Sequence, residues 1–177
     1  MEMIFCRRCG KPLSHLHDHV YRCPNDHTIY ANQSPSVGIF FVSLDNQKVP
    51  LATRGIEPHK GMLDAFGGFL DAKESFEDAA ARELREELHL NPEDYQPLVY
   101  LTSEYDFYPY QDEPLPVISV LFWTRFNAQP PLHVADDVSS ADWYELSNID
   151  PNRLHANDIR KGIRQLHQLF NEEGTVT

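Results

Sequence analysis

Glu83, Glu86 and Glu87 stand at helical spacing in the run F-E-D-A-A-A-R-E-L-R-E-E-L-H-L, residues 76–90. Residues three and four apart are neighbours on a helix, so the three carboxylates converge on one side of it. Crowded together they repel unless positive charge sits between them. Hard cations with all-oxygen ligand sets, Mg²⁺ or Mn²⁺, supply that charge. Arg82 can hold one carboxylate in place through a bidentate pair. Just upstream, Gly67-Gly68 permits a tight turn and brings the bare Gly68 carbonyl towards the same cation. A cation held this way makes a site that can keep its geometry while a charged substrate comes and goes.

A second constellation lies near the N-terminus. Cys6-x-x-Cys9 is followed by Cys23, and then by Asp26 and His27 where a second Cys pair would end. Three thiolates and one further donor make a structural Zn²⁺ site, a zinc ribbon or knuckle. His27 suits zinc better as the fourth ligand, with Asp26 the alternative. A closed four-ligand site leaves no position for water, so its part is to hold together a segment too short to bury a core unaided. His15, His17 and His19 alternate nearby and read as surface histidines of a ribbon hairpin.

These groups need elements to position them. Ser75 and Asp78 form a capping box at the start of the glutamate helix, and Phe76, Ala80, Leu84 and Leu88 recur every four residues as its buried stripe. The glutamates are then displayed on a face held rigid by packing opposite it. Strands are expected over residues 36–44, 49–54, 98–107, 117–126 and 141–145, with a short segment over 62–66 and a turn at Asp45-Asn46. A loop is expected over 111–114. A final helix over 156–170 carries Ile159, Ile163, Leu166 and Phe170 on one face. Strands, helix, strands and helix make an α/β layered domain around a mixed sheet.

The 177 residues have room for one full domain and a small appendage: a zinc-ribbon-like segment over 1–33 and a main domain over 34–177. A net charge of −12 argues against nucleic acid as the main partner, because neutralising phosphates requires Lys and Arg. It leaves a small diphosphate open, since bound cations reverse the local potential. No apolar run is long enough to span a bilayer, and no charged-then-apolar leader begins the chain. Three cysteines clustered before residue 24 fit metal ligation in a reducing cytoplasm better than a disulfide framework.

The stretch from Gly68 to Leu90 resembles the Nudix box: G, five residues, E, seven residues, R-E-U-x-E-E-x-G-U, with U aliphatic. Gly68, Glu74, Arg82, Glu83, Leu84, Glu86, Glu87 and Leu90 match at the right spacing. His89 replaces the usual glycine, which closes the helix in a left-handed conformation that His can also reach. A ribbon ahead of a Nudix domain is similar to several bacterial subgroups, including the NADH pyrophosphatases.

The resemblance implies an α/β/α sandwich and a hydrolase that cleaves the pyrophosphate of a nucleoside diphosphate linked to another moiety. Glu83, Glu86, Glu87 and the Gly68 carbonyl would hold Mg²⁺ or Mn²⁺. Glu86 is the candidate base, Arg82 orients the cluster, and Glu74 braces Arg82. Arg54 falls where family members often carry a phosphate-contacting arginine, although an ordinary strand-end ion pair also fits. The S-Q-P-W-P-F-P-x-S array of the NADH enzymes is missing after Leu90, which tilts the reading towards FAD, ADP-ribose or related dinucleotides. Aromatic residues over 105–110 could stack on a base, and Asp136-Asp137 could add an acidic group. The expected partner is a small nucleotide, and a homodimer would use the ribbon as its interface. The competing reading is a nucleotide sensor, or a ribbon adaptor, without catalysis.

Overall fold

The computed structural model of the chain describes residues 3–110, 113–128, 132 and 138–172. Two compact units emerge, Met1–Ser34 with Phe107–Val117, and Pro35–Asp106 with Ile118–Thr177. In the first, β1 (Ser14–His17), β2 (Val20–Arg22) and β3 (Thr28–Tyr30) form an antiparallel sheet in that order. Its small core is Cys6, Cys23 and Ile29, with Met3, Cys9 and Leu13 packed against it.

The remaining strands form two sheets. β4 (Ser34–Phe41), β8 (Glu113–Thr124) and β7 (Val99–Tyr110) form one sheet, in the order β4-β8-β7. β6 (Leu63–Asp64), β5 (Lys48–Arg54) and β9 (Val138–Glu145) form another, with β5 central and antiparallel to both neighbours. Ser36 bonds Ser119 and Val42 N–H bonds Thr124 O, so β4 and β8 run the same way. Strand directions are therefore mixed. Bridges from Ile39 to Phe66 and from Ser36 to Phe69 tie β4 to the chain that follows β6.

Alternation along β4 sorts the core into two layers, because successive side chains point to opposite faces. Val37, Ile39 and Phe41 join Ala79, Ala80, Leu84 and Leu88 of α1 (Phe76–Leu88). Phe40 and Val42 join Ile159, Ile163 and Leu166 of α2 (Asn157–Glu172). Strands with a helix on each face make the α/β/α sandwich. Gly162 lets α2 sit close: a Cβ there would lie 2.4 Å from the Phe40 ring.

The expected elements form, with shifted ends. β4 stops at Phe41, and the chain turns at Asn46, whose φ is 62°. The loop expected over 111–114 is overturned in its second half: Glu113 and Pro114 open β8, while Gln111 and Asp112 lie outside the described residues. Pro114 and Pro116 are two apart, so both missing donors fall on one edge of the strand and the other edge can still pair.

Candidate active site

α1 begins as its sequence requires. Ser75 Oγ accepts from Asp78 N–H at 3.1 Å, and the Asp78 carboxylate accepts from Ser75 N–H at 3.3 Å. At the other end His89 adopts φ 56°, ψ 30°, and its N–H bonds back to Arg85 O. His does here what glycine commonly does at a helix end.

Between these caps, Arg82 gathers the carboxylates. Its Nε and Nη2 donate to the two oxygens of Glu74 at 2.8 and 3.0 Å. Nη1 donates to Glu83 Oε1 at 2.8 Å and to Glu86 Oε2 at 2.9 Å, and Nη2 also reaches Phe69 O at 3.0 Å. The bond to Glu74 is the main cause pushing the guanidinium's pKa up, against the cost of burial, with Glu83 and Glu86 adding to it. Glu74 in turn is held below the usual carboxylate range, chiefly by Arg82 and then by Asp71 N–H. The arginine is permanently charged, and it neutralises a cluster that would otherwise repel itself.

One expectation changes. The three glutamates do not share one displayed face: Glu83 and Glu87 are buried, at 8% and 7% exposure, and Glu86 alone stays in solvent. The reason is the Gly67-Gly68 segment, which lies against the helix. Gly67 N–H donates to Glu87 Oε2 at 2.9 Å. A Cβ on Gly68 would come within 2.5 Å of Glu83 Oε1, and one on Gly67, at φ 135°, within 2.2 Å of Val37 O. Gly67 is required by close approach to backbone and by its own conformation, while a side chain on Gly68 would have to displace the Glu83 carboxylate. The Gly68 carbonyl accepts Val37 N–H at 2.9 Å and keeps a second lone pair.

Arg54, at the end of β5, is engaged by its surroundings. Nη1 donates to Asp64 Oδ2 at 2.8 Å and Nε to Pro58 O at 3.0 Å. The same Asp64 oxygen meets His155 Nε2 at 2.9 Å. Burial pushes the Asp64 carboxyl up, but His155 and then Arg54 outweigh it, and the net shift is downward. Asp158, early in α2, is shifted up, first by burial and also by Asp64, against opposing help from Ser119 and Ile159 N–H. Asp64, His155 and Asp158 carried no sequence signal. Nothing in local spacing links residues so far apart.

The NUDIX domain family's model matches residues 32–166. The chain belongs to the Nudix family. It is 32% identical over 127 residues to the human mitochondrial NAD(P)H pyrophosphatase NUDT13, covering 71% of this chain and 33% of that protein. It is 30% identical over 115 residues to an ADP-ribose pyrophosphatase of Methanocaldococcus jannaschii, covering 65% of this chain and 64% of the relative. The chain thus spans between a third and just under two thirds of the length of these relatives. In fold it resembles the crystal structure of a NUDIX hydrolase from Nitrosomonas europaea, with TM-score 0.66 and 21% identity over 97% of this chain and 93% of that one.

Nudix enzymes generally need divalent metals such as Mg²⁺ or Mn²⁺. The box residues here fit such an ion by chemistry: an all-oxygen donor set beside glycines that leave no room for side chains. The N-terminal group fits a different one. The ligand atoms of Cys6, Cys9, Cys23 and His27 all lie within 4.8 Å of one another, the one such cluster among the described residues. Cys9 Sγ and Cys23 Sγ are 3.7 Å apart, and Cys6 Sγ and His27 Nδ1 3.6 Å. A tetrahedron with Zn–S bonds of about 2.3 Å has S···S edges of about 3.8 Å. Asp26 does not join: at φ 60° it turns outward and pairs with Arg22 at 3.3 Å.

His15 meets Asp18 O, His17 meets the Asp18 carboxylate, and His19 packs near Tyr30. Asp106 caps α2, accepting from Asn157 N–H at 2.9 Å. Tyr105, Phe107 and Tyr110 are about half exposed on β7. Asp136 and Asp137 lie outside the described residues. No helix among the described residues is long and apolar enough to cross a membrane.

Proposed function

We propose that this chain hydrolyses the pyrophosphate bond of a nucleoside diphosphate joined to another moiety, with ADP-ribose, FAD and NADH as the leading substrates. Water adds to one phosphorus and the bridging P–O bond breaks. The products are a nucleoside monophosphate and the phosphorylated remainder. The observation that carries this reading is the box with all its glutamates, gathered around Arg82 with Gly68 pressed against Glu83. The pyrophosphatase names of the human and archaeal relatives support it.

Glu83, Glu86, Glu87 and the Gly68 carbonyl would hold Mg²⁺ or Mn²⁺. When bound, the ion neutralises pyrophosphate oxygens and acidifies water. Glu86, the exposed carboxylate, is the proton acceptor for the attacking water. Arg82 holds it in place, and Glu74 holds Arg82. Arg54 contacts the substrate's phosphates. Residues 1–33 form the ribbon, with Zn²⁺ on Cys6, Cys9, Cys23 and His27, and residues 34–177 form the Nudix domain. The free cysteines fit a reducing cytoplasm. Exposed Ile4 and Phe5 suit the ribbon to an interface in a homodimer, and deleting it should yield monomers by light scattering.

The test is phosphate release, with phosphatase added, from a panel of FAD, NADH, ADP-ribose, sugar nucleotides, diadenosine polyphosphates and nucleoside triphosphates. Turnover of one compound should fall at least about 10²-fold in Glu86→Gln. Tight binding without turnover across the panel would replace the hydrolase with a sensor.

A further inference from the structure

Arg54, Asp64 and His155 come from three separate places: the end of β5, the last residue of β6, and the approach to α2. Their side chains are 15%, 17% and 10% exposed. One oxygen, Asp64 Oδ2, accepts from both Arg54 Nη1 and His155 Nε2, at 2.8 and 2.9 Å. The backbone reinforces the grouping: His155 N–H donates to Leu63 O, and Leu63 bridges Leu154 in parallel. His59 lies over His155 with ring centroids 5.8 Å apart.

Such an arrangement does more than neutralise a charge. A guanidinium is planar, so fixing Nη1 on Asp64 and Nε on Pro58 O sets the plane of the whole fork. Asp64 can hold that plane only if its own carboxylate is fixed. His155 does so, and its position is set by the strand that carries Asp64.

We infer that Asp64 and His155 are positioning residues that orient the Arg54 guanidinium towards the substrate's phosphates. This rests on the reading of Arg54 as a phosphate contact. Asp64 and His155 touch no substrate themselves and act through Arg54. The geometric tie, rather than the charge alone, makes the arginine selective for an anion presented at one angle.

The test is a double-mutant cycle on the full chain. ADP-ribose and FAD binding are measured by calorimetry with Mg²⁺ in a Glu86→Gln background, which blocks turnover, and KM and kcat in the wild-type background. Arg54→Ala and Asp64→Asn are each expected to weaken binding and raise KM about tenfold, while kcat changes less. Asp64→Asn should add nothing once Arg54 is alanine. His155→Gln, which keeps an N–H donor, should bind close to wild type, and His155→Phe should match Asp64→Asn. Melting temperatures identify any variant that fails to fold, and His155→Gln is the mild arm that survives such a failure. Additive losses from Asp64→Asn and Arg54→Ala would overturn the positioning role and leave Arg54 as a contact. Unchanged binding in Arg54→Ala would overturn the contact reading and the positioning role with it. Absence of binding to both nucleotides in the Glu86→Gln parent, together with no turnover of either by the wild type, would overturn the nucleotide reading itself.

Discussion

The two candidate metal centres of this chain are built on opposite plans. In the N-terminal unit, four ligand atoms are drawn within 4.8 Å of one another. In the Nudix box, the carboxylates are spread around Arg82 and the Gly67 N–H. The physical reason lies in charge. The four ligand atoms of the knuckle come close enough together to enclose a single ion, so the knuckle closes upon itself. Ionised carboxylates repel and need a counter-charge, so the box keeps an arginine in its midst and one glutamate in solvent. The first plan leaves no room for a reactant. The second leaves the Glu86 carboxylate open to solvent beside a fixed cation, Arg82.

The sharpest break of this comparison is Cys23→Ser. Zinc content should fall from one ion per chain to none, and the N-terminal unit should become sensitive to protease, while turnover by the box stays within about tenfold of wild type because the two centres share no ligand. Metal analysis, limited proteolysis and phosphate release on one preparation check all three. A collapse of turnover would mean that the two centres are coupled.

A smaller effect is expected on the box side. Gly68→Ala brings a Cβ within 2.5 Å of Glu83 Oε1. Displacing that carboxylate by a fraction of an ångström should lower kcat about 10²-fold. The fold should persist, since one carboxylate and not the core must shift, and circular dichroism with single-turnover kinetics separates the two. Normal kcat would mean that Glu83 is not a ligand.

The smallest effect is on acid stability. Glu74 lies below its ordinary value of 4.5, chiefly because of Arg82. A carboxyl lowered on folding contributes stability that is present above its unfolded pKa and lost as pH falls through its folded one. Glu74→Gln should therefore be less stable than wild type at pH 7, and the gap should close as pH drops below 4.5. Denaturant melts at several pH values check this. A gap that does not depend on pH would make the Glu74 bond a matter of packing rather than charge.

Much of the box was legible before any coordinates. The cap at Ser75, the stripe of Ala80, Leu84 and Leu88, the left-handed His89 and the pairing of Glu74 with Arg82 all form as read. Helix geometry makes neighbours of residues at fixed spacing, so such contacts are written locally. Strand existence was plain from residue 36 onward, but strand ends were not, and the three short strands before Ser34 were not read individually. Glu113 and Pro114 read as a loop because proline is scarce in strands, yet both sit in β8. Which glutamates would be buried was not legible either. That depends on Gly67-Gly68 lying against α1 from outside the helix.

Sequence alone determined the family, the box with its oxygen donors and the Cys-x-x-Cys start of the knuckle, because each is carried by residue type and short-range spacing. Tertiary structure decided what depends on separated segments meeting. It set His27, and not Asp26, beside the three cysteines, while Asp26 pairs with Arg22. It placed Glu83 and Glu87 under the glycine turn and left Glu86 in solvent. It also brought Asp64 and His155 onto one arginine, through a strand and a helix approach that no periodicity connects.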